Sequence, residues 1–94
     1  MSESALRRRV RMRCDELGYW AIPYPGSSMG ITGFPDLIIL KRGQVIFLEL
    51  KDLGKKPRPI QMAILSKLRA LGFTAEWADN YDDAMEVIGV EEAE

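Results

Sequence analysis

PDLIILKRGQVIFLELK, residues 35–51, is the stretch whose reading decides the fold. Leu37-Ile38-Ile39-Leu40 and Val45-Ile46-Phe47-Leu48 are apolar runs rich in β-branched residues, and Lys41-Arg42-Gly43-Gln44 between them carries a turn glycine. Such a pattern predicts a β-hairpin. With Arg42-Gly43 as a two-residue turn, Lys41 faces Gln44 and, counting outward, Asp36 faces Glu49. That pair falls at a non-hydrogen-bonded position, where opposed Cα atoms lie about 4.5 Å apart. Like charges there destabilise a sheet, so two carboxylates at this spot predict a bound cation. Lys51 follows Glu49 by two residues and shares its face.

Two opposed acids beneath one ammonium are the groups that phosphodiester hydrolysis requires. Oxygen ligands suit Mg²⁺ or Mn²⁺, which lowers the pKa of water and offsets charge on the phosphate. Lys51 would orient or deprotonate the attacking water, or neutralise charge on the phosphate. Singly, each residue has an ordinary reading: Asp36 as a strand-entry residue, Glu49 and Lys51 as a same-strand ion pair. Together they predict a catalytic site.

Pro35-Asp36 followed by Glu49-Leu50-Lys51 resembles the PD-(D/E)XK nuclease signature. The wider context is similar to one branch of that superfamily, the virus-type replication-repair nuclease (VRR-NUC) domain. The matching pieces are Ser2-Glu3 opening a helix, Gly33-Phe34-Pro35-Asp36-Leu37, Phe47-Leu48-Glu49-Leu50-Lys51, and Pro59-Ile60-Gln61 opening a helix that ends Leu68-Arg69-Ala70-Leu71-Gly72. The resemblance runs from about Ser2 to Ile88. Tyr24 to Met29 departs from it, since relatives commonly carry a basic residue there.

The resemblance implies an α/β fold, with an αβββαβ core and a mixed central sheet flanked by helices. It implies that Asp36 and Glu49 ligate Mg²⁺ or Mn²⁺ together with the backbone carbonyl of Leu50, and that Lys51 is catalytic. Glu3 would contribute to the metal site, often at one remove, and Gln61 would act within the active site. From the residues alone, Glu3 heads the core-facing row of its helix, and it is equally placed to pair with Arg7 one turn on. Gln61 reads as a first-turn residue, off the apolar stripe. Small stand-alone members of the family imply a homodimer that resolves four-way (Holliday) DNA junctions. Two other readings stay open: a monomeric flap or nicking nuclease, and a catalytically idle DNA-binding module on the same fold.

Composition is compatible with one domain spanning residues 1–94. Apolar residues make up 47% and charged residues 29%, which are globular values. No apolar run is long enough to span a membrane, and the Arg-rich start lacks the apolar segment of a signal peptide. A soluble protein of the cytoplasm, in a bacterium or a phage-infected cell, is expected. The single Cys14 allows no intrachain disulfide, and the absence of His excludes a Cys/His zinc site and a histidine base.

The net charge of −1 conceals a division along the chain. Residues 1–75 hold all thirteen Lys and Arg against six acids, whereas residues 76–94 hold eight acids and no base. Phosphate binding depends on local clusters. The Lys55-Lys56-Pro57-Arg58 loop leaves Lys51 directly and is expected to contact DNA. For Arg7, Arg8, Arg9, Arg11 and Arg13, phosphate contact and a merely solvated helix face are equally open.

The remaining elements follow from periodicity and caps. A helix is predicted over Glu3 to Leu17, with Ser2 as N-cap and Leu6, Val10, Cys14 and Leu17 buried. Tyr19 to Ile22 reads as a strand and residues 23–33 as a long, substrate-facing loop. A second helix from Pro59 is expected to bury Ile60, Ile64, Leu68 and Leu71. Phe73 to Ala78 reads as a last strand, and Tyr81 to Ile88 as a helix capped by Asn80. The tail 90–94 is expected to fray. Trp20, Met29 and Ile31 are candidate dimer contacts.

Overall fold

The computed structural model describes residues 1–24 and 30–91. Helix α1 (Glu3–Glu16) leads to β1 (Trp20–Pro23), the hairpin β2 (Leu37–Lys41) and β3 (Gln44–Leu50), helix α2 (Pro59–Ala70), β4 (Thr74–Ala78) and helix α3 (Tyr81–Ile88). The four strands form one sheet in the order β1-β2-β3-β4, antiparallel except for the parallel β3–β4 pair. The parallel link needs a crossover, which α2 supplies. This is the expected mixed αβββαβ sheet, with α3 added at the end.

The hairpin has the predicted register: Lys41 pairs with Gln44, and the ladder runs out to Leu37 opposite Leu48. Gly43 takes φ 73°, whereas among the described residues no non-glycine residue has positive φ. The turn therefore differs from the I′ form, which needs positive φ at both central residues.

Strand alternation gives the sheet two faces. Leu37, Ile39, Ile46, Leu48 and Leu50 bury one face with Leu6, Val10 and Cys14 of α1 and Ala84, Met85 and Ile88 of α3. At its start α1 is capped by Ser2, whose hydroxyl accepts from the Ala5 N–H at 3.2 Å. Helix α2 covers the other face over β4.

Four expectations need correction. Helix α1 ends at Glu16, and Leu17 is its half-buried C-cap. The first strand begins at Trp20 and includes Pro23, which an edge strand tolerates because one side of it needs no ladder donor. The last strand starts at Thr74; Phe73 precedes it, 42% exposed, with its ring edge-on to Phe47 at 5.5 Å. The buried stripe of α2 is rotated by one residue: Gln61 and Leu65 are buried, Ile64 and Leu68 are half-buried, and Ile60 and Leu71 are exposed.

An aromatic row supports the segment that enters β2. Phe34 lies 4.6 Å from Tyr24 and 5.6 Å from Phe47, centroid to centroid. Gly33 has φ 83°, and a Cβ there would meet Ile60 at 3.2 Å and Ile64 at 3.3 Å. The glycine thus allows this segment to lie against α2 just before Asp36.

Candidate active site

Asp36 stands one residue before β2, and Glu49 is the penultimate residue of β3. Continuing the hairpin register by one step sets them opposite each other. Each carboxylate accepts from a backbone amide of the opposite strand: Asp36 N–H donates to Glu49 Oε1 at 3.2 Å, and Leu50 N–H donates to Asp36 Oδ2 at 3.0 Å. These bonds tie the acids to the strand ends, so their approach is fixed by backbone rather than by rotamer choice.

Glu49 is only 1% exposed. Burial, and next the nearby Asp36 charge, push its carboxyl up to about 8 against the opposing pull of Lys51. Lys51 lies just past the end of β3, its backbone N–H donating to the Ala78 carbonyl at 3.0 Å. Its Nζ stands 4.0 Å from Glu49 Oε2, on the expected face.

Gln61 is more deeply involved than its sequence position suggested. Its Nε2 donates to Glu49 Oε2 at 2.8 Å, and its Oε1 accepts from the Arg58 N–H at 2.8 Å, which closes the first turn of α2. One side chain therefore fixes both the helix start and the buried acid. The spacing Gln61, Ile64, Leu65, Leu68 was the signal that could have revealed it.

Glu3 comes close enough for Asp36 to raise its carboxyl, second to burial and against the pull of Arg7 and Lys51. It forms the alternative ion pair with Arg7, at 2.7 Å. Arg7 also stands 4.0 Å from Asp36 Oδ1, a proximity that sequence reasoning missed. The other missed residue is Asp52, whose Oδ1 accepts from the Glu3 N–H and ties the start of α1 to the loop after Lys51.

Arg58 lines a cleft of about 230 Å³ with Asp36, Gln61, Tyr24, Gly33 and Phe34. Lys55 and Lys56 are exposed on the loop between β3 and α2 and bond to none of the site's side chains among the described residues. Residues 25–29 of the proposed substrate-facing loop, Ser27, Ser28 and Met29 among them, lie outside the described residues, as does the end of the acidic tail.

Among the described residues, no three Asp, Glu, Cys or His side chains converge to hold a metal. The acidic pair, with the Leu50 carbonyl as a candidate third donor, is an all-oxygen set suited to Mg²⁺ or Mn²⁺. A buried carboxylate raised by a like charge is the electrostatic condition that a divalent cation relieves. The donors fit such an ion.

The hairpin with opposed acids, the following lysine and the helix-linked parallel strand define the core of a PD-(D/E)XK nuclease. A solved structure named "VRR_NUC domain" superposes with a TM-score of 0.79 at 27% identity, over 93% of this chain and 94% of its own. Another, "VRR_NUC domain protein", has a TM-score of 0.77 over 95% and 86%; at 22% identity it speaks to the fold alone. "Putative nuclease p44" of Acyrthosiphon pisum secondary endosymbiont phage 1 is 40% identical over 81 residues, 85% of each chain. No family model matches the sequence. The chain belongs to the VRR-NUC family of nucleases.

Proposed function

We propose that this protein is a metal-dependent endodeoxyribonuclease that hydrolyses phosphodiester bonds in branched DNA, as a homodimer acting on four-way junctions. The observation that carries the reading is the convergence of Asp36 and Glu49 from adjacent strands beneath Lys51, whose Nζ stands 4.0 Å from Glu49. Family membership supports it, as does the relative named a nuclease.

Asp36, Glu49 and the Leu50 carbonyl would hold Mg²⁺ or Mn²⁺, which supplies positive charge at the phosphate and makes water more acidic. Gln61 holds the Glu49 carboxylate in one orientation through its 2.8 Å bond. Lys51, with a side chain only 17% exposed, presents its ammonium beside the pair. There it orients water and opposes charge that develops on the phosphate oxygens. Glu3 assists indirectly, while Arg58, with Lys55 and Lys56, binds the DNA backbone.

Junction preference and dimerisation rest on family resemblance and on symmetry. Resolving a four-way junction requires two nicks, which a two-fold pair of sites delivers together. Trp20 at 65% exposure and Ile31 at 61% supply apolar surface for such a contact. Among the described residues no helix is long and apolar enough to cross a membrane. DNA in the cytoplasm is the proposed substrate and setting, a reading that the phage relative supports.

Incubation with labelled four-way junction, flap and linear duplex, with and without Mn²⁺, tests the reading. Paired symmetric nicks in the junction, dependent on Mn²⁺, are expected. Preferential cutting of flaps by a monomer would replace the junction assignment, and cutting of none would overturn the nuclease.

A further inference from the structure

The arginines of α1 are not equivalent. Arg9 stacks its guanidinium over the Tyr81 ring, 3.7 Å from the centroid, and Arg13 pairs with Glu16 at 3.9 Å. Both are engaged within the molecule. Arg7, Arg8 and Arg11 instead line one open cleft of about 370 Å³, together with Ser4, Met12 and Asp15. Among the described residues, Arg8 and Arg11 have neither an ion-pair nor a hydrogen-bond partner and are exposed. Two guanidinium groups three residues apart on one helix face repel each other weakly in water and attract a polyanion.

Arg7 links this cleft to the acidic pair, since it bonds to Glu3 and stands 4.0 Å from Asp36. Arg58, at the N-cap of α2, lines the other cleft beside the same Asp36. Asp36 is where the two basic regions meet. Arg7 and Arg11 are one helical turn apart, about 6 Å along the axis, so their long side chains can serve neighbouring phosphates of one strand.

We propose that the Arg7-Arg8-Arg11 face of α1 is a second backbone-binding tract, carrying the DNA strand away from the scissile phosphate on the side opposite Arg58. Arg7 is the junction between tract and site, holding Glu3 while it faces the phosphate nearest Asp36. Arg8 and Arg11 contact the phosphates beyond. The inference rests on the nuclease reading for the identity of its ligand, and its partner chemistry is a phosphodiester backbone without base selectivity.

The test measures binding of a labelled four-way DNA junction in EDTA across a salt series, and single-turnover cleavage of it in Mn²⁺. Arg8→Ala/Arg11→Ala should weaken binding about tenfold and reduce the slope of log affinity against log salt by about 2. Arg8→Lys/Arg11→Lys should recover most of the slope. Arg42→Ala/Lys67→Ala, with the same charge change on exposed residues of the hairpin turn and α2, should leave it unaltered. A slope that is unchanged, or that falls equally in the control pair, overturns the tract while an active wild type upholds the nuclease. An arginine-sensitive slope in a protein that never cuts upholds the tract and overturns the nuclease. Thermal melting of both pairs must match wild type, since all four residues are exposed, and a lowered midpoint in the arginine pair would mark a structural role instead.

Discussion

Gln61 and Glu49 share a 2.8 Å hydrogen bond across the interface between α2 and the sheet, and it is the contact that satisfies the outer oxygen of a fully buried acid. Because the same amide accepts from Arg58 N–H, the orientation of Glu49 is coupled to the start of α2. Gln61→Met keeps the volume and removes both bonds. It should lower stability by about 1–3 kcal/mol and slow cleavage, as read by denaturant melts and single-turnover kinetics. An unchanged melt would mean that the bond holds nothing.

The raised Glu49 carboxyl makes the metal-free protein pH-sensitive. Folded, Glu49 keeps its proton up to about 8, whereas in the unfolded chain it titrates near its ordinary value of 4.5. Between these values the folded state binds more protons, so stability is greatest at the acid end and declines as pH rises through about 8. Melting in EDTA from pH 5 to 8.5 should show a falling midpoint, by about 4–8 °C for each kcal/mol lost. Glu49→Gln should flatten the profile. A midpoint that climbs over the same range would contradict the assigned shift.

Lys51 and the basic loop after it should separate chemistry from binding. Lys51→Ala is expected to slow single-turnover cleavage by about 100-fold or more with little change in DNA affinity. Lys55→Ala/Lys56→Ala/Arg58→Ala should do the reverse, with a salt slope reduced by about 3. Near-normal cleavage by Lys51→Ala in Mg²⁺ would remove its proposed role.

Dimerisation is open to sedimentation at micromolar concentration. The expected species has about twice the 10.6 kDa chain mass. Trp20→Glu should shift it toward monomer and uncouple the paired nicks on a junction, leaving single nicks. A wild-type monomer that still cuts both strands symmetrically would contradict the two-fold account.

The hairpin and its opposed acids were legible because turn chemistry and the two-residue strand period are local properties. Asp36, Glu49 and Lys51 follow from counting outward from Gly43. The stripe of α2 was misread because Ile60 and Leu71, both apolar, pulled the phase, while the residue buried with Leu65 is a glutamine. Hydropathy cannot anticipate a buried amide whose partner lies twelve residues away on another element. Arg7 beside Asp36 was invisible for a related reason. Its i,i+4 bond to Glu3 is local, but its approach to Asp36 depends on how α1 docks against the hairpin, which no spacing records.

The central claim, that Asp36 and Glu49 form a divalent-metal site serving hydrolysis, is tested most directly by titrating Mn²⁺ into wild type and Asp36→Asn and following both the melting midpoint and cleavage of a labelled junction. A cation relieving the carboxylate repulsion should raise the wild-type midpoint by mass action, equivalent to about 2.7 kcal/mol at a hundredfold excess over Kd, and cleavage should appear over the same concentration range. Asp36→Asn should start more stable in EDTA, gain little from Mn²⁺, and cut no DNA. An equal rise in both proteins, or cleavage that survives in EDTA, would contradict the account.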